Sequence, residues 1–148
     1  RVLEVLARLP RVHRGVHKRI FLRALEGLGR DVSRHHLEIL RVLREEGTLH
    51  VAEIADLLLI SKPQMTRLLD ELIDQGLAER RPDEQDRRKT NIVLTPEGAA
   101  LVDRFVETVR ERIRRRLSTL SAEELEELAR SLERIDETIS KLDQEAEG

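Results

Sequence analysis

The sequence predicts a mainly α-helical protein carrying one small β-hairpin, with long helices at both ends. Three observations carry that reading. Apolar residues recur at spacings of three and four through most of the chain, the period of a helix with one buried face. That period gives way once, between residues 77 and 94, to two short strand-like runs around a charged turn. The 148 residues include Phe21 and Phe105 but no Trp or Tyr, so the core must be built from Leu, Val, Ile and Ala, as suits packed helices.

The elements follow in order. Val2, Val5, Leu6, Leu9, Val12, Val16, Ile20, Ala24 and Leu28 mark an amphipathic helix that tolerates or kinks at Pro10 and closes at Gly27 and Gly29. Ser33 reads as the N-cap of a second helix carried by Leu37, Leu40, Val42 and Leu43 and stopped at Gly47. Residues 48–50 suit only a sheet stub. A short helix from Val51 to about Leu58 turns inward Ala52, Ile54, Ala55 and Leu58. Ser61 caps the next one, with Pro63 in its first turn, a buried stripe of Met65, Leu68, Leu69, Leu72 and Ile73, and an end at Gly76. Residues 77–81 and 90–94 read as strands, and 82–89 as a hairpin tip without an aliphatic side chain beyond Pro82. Thr95-Pro96-Glu97 starts a helix running to about Leu117, with N-cap, first-turn proline and an acid at the positive end of the dipole. Ser121-Ala122-Glu123-Glu124 is a capping box for a last helix bearing Leu125, Leu128, Leu132, Ile135, Ile139 and Leu142.

Composition narrows the function classes. The absence of cysteine removes disulfides, thiolate metal sites, cysteine nucleophiles and thiol sensing, and is compatible with a cytoplasmic setting. No apolar run reaches the roughly 18 residues of a membrane span, so no membrane partner is expected. The start reads as no signal peptide, and the missing initiator Met suggests a trimmed sequence. Charged residues make up 38% of the chain, with a net charge of −2, unlike a generic basic nucleic-acid coat. Residues 1–30 carry eight Lys/Arg against two Glu, whereas 118–148 carry three against ten Asp/Glu. Opposite charge on the terminal segments suits complementary packing partners, and equally suits two independently solvated faces.

Two short helices across a tight turn are the helix-turn-helix unit, whose second helix enters the DNA major groove. Opposite its buried stripe, the Ser61 helix presents Lys62, Gln64, Thr66, Arg67 and Asp70. Lys and Arg meet phosphate or guanine, and Gln pairs with adenine; a merely polar surface helix is the plainer alternative. The hairpin adds Arg87, Arg88 and Lys89, cations suited to a narrow minor groove, with Asp86 beside them to orient an arginine through a charge-assisted hydrogen bond. A charged hairpin directly after a helix-turn-helix makes a wing. The fold expected is therefore a winged helix-turn-helix with long N- and C-terminal helices: residues 1–30 the first helix, 31–95 the winged lobe, and 96–148 the long closing helices, the two ends being the dimerisation region that a family resemblance implies.

The stretch Ala52-Glu53-Ile54-Ala55, Ser61 to Leu72 and Gln75-Gly76-Leu77-Ala78-Glu79-Arg80, followed by Asp86-Arg87-Arg88 and Leu94-Thr95-Pro96-Glu97-Gly98, resembles the MarR (multiple antibiotic resistance regulator) family of transcription factors over nearly the whole chain. The resemblance implies a homodimer, built from the first and last helices, that reads a palindromic operator in double-stranded DNA. It implies repression or activation of nearby genes, with repression the expected mode, relieved by a small anionic or phenolic ligand. Carried over by position, the DNA-binding set is Ser61, Lys62, Gln64, Thr66, Arg67, Arg87 and Arg88, with Asp86 orienting the wing. One departure is Leu59-Ile60 in the turn, where the family commonly has a small or polar residue, which bears on the turn's geometry.

His13 and His17 share a helical face, and His35 and His36 open the next helix. Three readings stand: structural histidines, the lining of an effector pocket for a small anion, or a Zn²⁺ site in a metal-responsive regulator of the same fold. Arg14, Lys18 and Arg19 flank the first pair and would repel a cation. With two Phe in the chain, such a pocket is expected to offer little aromatic stacking, which disfavours flat polycyclic ligands. His50 reads as a local cap. The basic run Arg110, Arg112 and Arg114 to Arg116 suits pairing with the acidic last helix better than phosphate contact. No cofactor is implied, and no nucleophile–base pair, phosphate loop or metal-ligand spacing points to an enzyme. A winged-helix module for protein contacts alone would have no use for a cationic wing tip.

Overall fold

The computed structural model describes residues 1, 4, 15, 17–86 and 88–146. Most of the first expected helix, including His13, and Arg87 in the wing lie outside the described residues. A π-helical stretch, His17–Leu22, leads into α1, Arg23–Glu26, and Gly27 caps it. Then come α2 (Arg34–Glu46), β1 (Leu49–His50), α3 (Val51–Leu58), α4 (Lys62–Asp74), β2 (Ala78–Pro82), β3 (Thr90–Leu94), α5 (Pro96–Leu117) and α6 (Ala122–Ala146). A mostly helical chain with one three-stranded sheet is the architecture of a winged helix-turn-helix. It forms two compact units, 1–110 and 111–148, divided within α5.

In the first unit the core is aliphatic. Ile39, Leu40 and Leu43 of α2, Ile54 of α3, Met65, Leu69 and Leu72 of α4, Leu77, Ile92 and Leu101 interlock with little or no exposure. Burying a side chain of this size contributes about 1.5–3 kcal/mol, so these residues dominate the fold's stability. The caps follow the sequence logic at α2: Ser33 Oγ accepts the His36 N–H, and Gly47, at φ 82°, closes the helix in a conformation only glycine adopts freely. At α4, Ser61 occupies the N-cap position, but its hydroxyl makes no capping bond; its carbonyl accepts the Met65 N–H. Its side chain therefore remains available at the exposed start of the helix.

The turn between α3 and α4 solves its geometry in an unusual way. Leu59 sits in the left-handed region at φ 53°, ψ 40°, with 94% of its surface exposed, and Ile60 N–H donates back to Ala55 O at 3.0 Å. A non-glycine residue there costs roughly 1–2 kcal/mol, so the chain bends tightly with leucine where a small residue would sit without strain.

The sheet order is β1-β3-β2, antiparallel throughout, with His50 opposite Asn91 and Asn91 opposite Arg81. Pro82 falls at the end of edge strand β2, where its missing N–H is harmless. The wing is tied to α5 at one tight joint. Thr95 N–H donates to Leu77 O, Thr95 Oγ1 donates to Gly76 O, and that same oxygen accepts the Gly98 N–H as the cap of α5. A Cβ on Gly98 would lie 2.1 Å from the Leu77 carbonyl oxygen, so only glycine fits.

In the second unit, Ser121 and Glu124 form the expected reciprocal capping box at the start of α6. Along that helix Leu128, Leu132, Ile135 and Ile139 are 38–57% exposed among the described residues. Among the described residues, no helix is long and apolar enough to cross a membrane.

Candidate nucleic-acid interface

The α4 helix buries Met65, Leu68, Leu69 and Leu72 and exposes Ser61, Lys62, Gln64, Thr66, Arg67 and Asp70 on the other side. That division follows directly from the 3.6-residue period. Neither Lys62 nor Arg67 has an ion-pair partner among the described residues, so both cations face outward uncompensated. Thr66 is different: its hydroxyl donates to the Lys62 carbonyl at 3.0 Å, leaving the oxygen's lone pairs and methyl group for a ligand. Asp70 pairs with Arg80 of β2 at 2.7 Å, which neutralises an acid that would otherwise face phosphate and braces the helix against the wing strand.

The wing tip is organised by carboxylates bound to backbone. Asp83 Oδ1 accepts the N–H groups of Gln85 and Asp86 at 2.9 and 2.8 Å, and its Oδ2 accepts from Asn91 Nδ2 at 3.2 Å. Those bonds, the Asp86 N–H first and the Gln85 N–H next, hold the Asp83 carboxyl below its ordinary value against some desolvation, with smaller help from Asn91 and His50. Asp86 Oδ1 in turn accepts the backbone N–H of Arg88 at 3.0 Å. Sequence reasoning assigned Asp86 to a guanidinium; its described bond is to backbone, so it shapes the turn that carries Arg88. Arg88 itself is exposed.

His50 holds the N-cap position of α3, where its N–H donates to Glu53, while its ring lies 3.7 Å from Asp83 Oδ2 and 3.4 Å from Thr90 O. The expected local cap is thus also a contact to the wing.

Of the four histidines of the expected cluster, only the side chains of His35 and His36 are described. His36 is 5% exposed; its Nδ1 accepts the Ser33 N–H, so its Nε2 carries the hydrogen donated to Glu71 at 2.8 Å. Both nitrogens are hydrogen-bonded, so His36 forms a buried strut between α2 and α4. His35 is exposed, His13 lies outside the described residues, and no group of three His, Cys, Asp or Glu suited to a metal occurs among those described.

A cleft of about 230 Å³ is walled by Phe21, Leu22 and Leu25, by Leu37 and Phe105, and by Arg34, Glu38 and Arg41. Both phenylalanines of the chain meet there, ring centroids 6.2 Å apart and planes tilted by 37°. Two rings far apart in the chain thus converge on one pocket. Arg34 is paired with Glu38 at 2.9 Å, while Arg41 lies only 3.9 Å from Glu45 in a looser contact.

Four further structural features of the interface and its surroundings escaped sequence reasoning: Asp83, the Asp70–Arg80 pair, the His36–Glu71 strut and the Arg-lined cleft. Asp83 alone had a local signal, since an Asp just before a turn commonly caps backbone N–H groups two and three residues on.

A helix-turn-helix with an exposed polar second helix, followed by a cationic wing, defines a DNA-binding winged-helix transcriptional regulator. The family model described as MarR family matches residues 30–89. The chain is 38% identical over 108 residues to the HTH-type transcriptional regulator PecS of Dickeya dadantii, covering 71% of this chain and 65% of that protein, just under two thirds of its length. It is 30% identical over 123 residues to the uncharacterized HTH-type transcriptional regulator YpoP of Bacillus subtilis, covering 83% and 87%. Among solved structures, a single-substitution mutant of S. aureus MepR bound to an oligodeoxyribonucleotide matches with a TM-score of 0.72 and 27% identity, over 93% of this chain and 97% of that one. The protein belongs to the MarR family of helix-turn-helix transcriptional regulators.

Proposed function

We propose that the protein is a homodimeric repressor that places α4 of each protomer in successive major grooves of a palindromic operator and its wing against the flanking backbone. The observation that carries this reading is the outward pair Lys62 and Arg67 on a helix whose other face is fully buried. The oligonucleotide bound to the related MepR mutant supports it. Ser61, Lys62, Gln64, Thr66 and Arg67 read or position the groove, and Arg87 and Arg88 supply wing contacts shaped by Asp86.

The two elements are expected to respond differently to truncation. With a duplex selected by this protein from a random pool, Arg67→Ala should lower preference at particular base pairs by roughly 1–3 kcal/mol. Arg88→Ala should weaken selected and random duplexes alike and reduce the salt slope by about one unit for each phosphate no longer neutralised. Anisotropy titrations on both duplexes at salt concentrations from about 50 to about 200 mM measure this; equal losses on both for both variants would remove the distinction.

The same protein is regulated, in this reading, by a small aromatic carboxylate. The cleft between the π-helical stretch with α1, α2 and α5 offers two rings for the ligand's face and Arg41 for its charge, and this reading favours it over the histidine cluster as the effector site. Such a ligand acts only through unequal affinity for the DNA-competent and incompetent states. Salicylate titrated calorimetrically should bind the native chain and bind Arg41→Ala at least about tenfold more weakly, the loss of one charge-assisted hydrogen bond. Unchanged binding in the variant would exclude this cleft, and a response to Zn²⁺ alone would favour the metal-sensing alternative through His13, His17, His35 and His36.

A further inference from the structure

We propose that Asp83 is the positioning residue of the wing: it holds the backbone turn that presents Arg88 and so sets how strongly the wing grips DNA. The inference rests on the reading above that the wing contacts DNA, and goes beyond it by assigning the grip to an acid.

Seven residues, 83–89, separate β2 from β3. A loop of that length leaves the sheet ladder and must be fixed by bonds of its own or remain mobile. Asp83 provides them from the base of the loop. Its own N–H donates to Lys89 O at 3.1 Å, closing the two sides. Its Oδ1 gathers the N–H groups of Gln85 and Asp86, which places Asp86 so that its carboxylate takes the Arg88 N–H and its carbonyl the Lys89 N–H at 2.8 Å. The run of contacts is therefore Asp83 to Asp86 to Arg88, each made to main chain. The other carboxylate oxygen faces back to the sheet. Asn91 and His50 are cross-strand neighbours in the β1–β3 register and so project to the same face, where Asn91 Nδ2 donates to Oδ2 and the His50 ring lies 3.7 Å away. One side chain thus ties the tip to all three strands of the sheet.

Charge alone predicts the opposite role. An anion a few residues from a phosphate-binding arginine repels DNA, so deleting it should tighten binding. Positioning predicts that deletion loosens the turn and weakens binding despite the favourable change in charge. The two effects have opposite signs, which makes the question decidable.

The test uses the full chain and three variants, Asp83→Ala, Asp83→Asn and Arg88→Ala, titrated against the selected duplex over the same salt range, with thermal unfolding in parallel. Asp83→Ala is expected to bind about tenfold more weakly with a salt slope lower by about one unit, matching Arg88→Ala, while still unfolding cooperatively. Asp83→Asn loses the same charge but keeps an acceptor oxygen for Gln85 and Asp86, and the Asn91 amide can turn to meet its new NH₂ group. It is expected to bind at least as tightly as the native chain. Binding by Asp83→Ala equal to or tighter than native overturns the proposal. So does equal weakening in Asp83→Asn, which decides the matter even if the alanine variant does not fold. An unchanged affinity and slope in Arg88→Ala would instead remove the wing contact on which the inference stands.

Discussion

Replacing Gly98 by Ala is expected to destabilise the protein by about 3 kcal/mol, the upper end for forcing an added methyl into a packed site. For a chain of this size that lowers the melting temperature by roughly 10 °C. Gly98 lies in the first turn of α5, where helix propensity alone would favour alanine by about 1 kcal/mol. Sterics oppose it and win. The added Cβ would stand 2.1 Å from the Leu77 carbonyl oxygen, 2.8 Å from Leu94 Cδ1 and 3.0 Å from the Leu77 carbonyl carbon. Two of those atoms are backbone and cannot rotate away. Leu77 O is also held by the Thr95 N–H, so relief requires shifting the joint between the recognition helix, the wing and α5. Ala100→Gly, at an exposed position in the same helix, is the control: it should cost about 1 kcal/mol through propensity. Thermal unfolding of the two variants separates the effects, and a Gly98→Ala protein as stable as the native one would show that the joint is open.

Much of this was legible in the sequence because its causes are local. Ser33, Gly47, Pro63, Gly76, Thr95 and Ser121 each fix a helix end through their own backbone chemistry, and the observed boundaries fall beside them. The exposed set on α4 followed from period alone. The features that were not legible join residues far apart in the chain. Phe21 and Phe105 meet only because the π-helical stretch and α5 pack on α2, and no window of sequence contains both. Asp70 and Arg80 sit ten apart across a turn, outside any helical spacing, so their pairing depends on where β2 leaves α4. His36 shows a further limit. Its neighbours suggested a cluster with His35, yet adjacent residues on a helix point about 100° apart, and His36 turns inward to Glu71 while His35 faces water. The π-helical stretch at His17–Leu22 carries no proline or glycine within it and had no sequence signal.

The second large effect concerns assembly. Leu128, Leu132, Ile135 and Ile139 recur at spacings of four, three and four, the seam of a helix that packs on another helix. Each is roughly half exposed, so about 1 kcal/mol of burial per side chain remains to be gained. Across two protomers that amounts to roughly 8 kcal/mol, comparable to the entropic cost of association at the lower end. In the proposed homodimer the α6 stripe is expected to contribute without sufficing, and residues 1–28, with their own apolar stripe and opposite charge, are expected to supply the rest. Leu132→Glu combined with Ile135→Glu places two carboxylates per protomer where apolar contact is needed, and burying an unpaired carboxylate costs several kcal/mol. The native chain should sediment at micromolar concentration as one species of twice 17.1 kDa, and the double variant as a monomer. The core of the first unit contains no residue beyond Phe105 among those buried, so the lobe carrying α4 should still unfold cooperatively. Affinity for the selected palindromic duplex should nevertheless fall at least about a hundredfold, since a monomer engages one half-site and loses the effective concentration that joins the two. Binding to a single half-site duplex should stay within about threefold of native, which isolates assembly from recognition. A double variant that remains dimeric, or a native chain that is a folded monomer at these concentrations, would place the dimer contacts elsewhere or remove them.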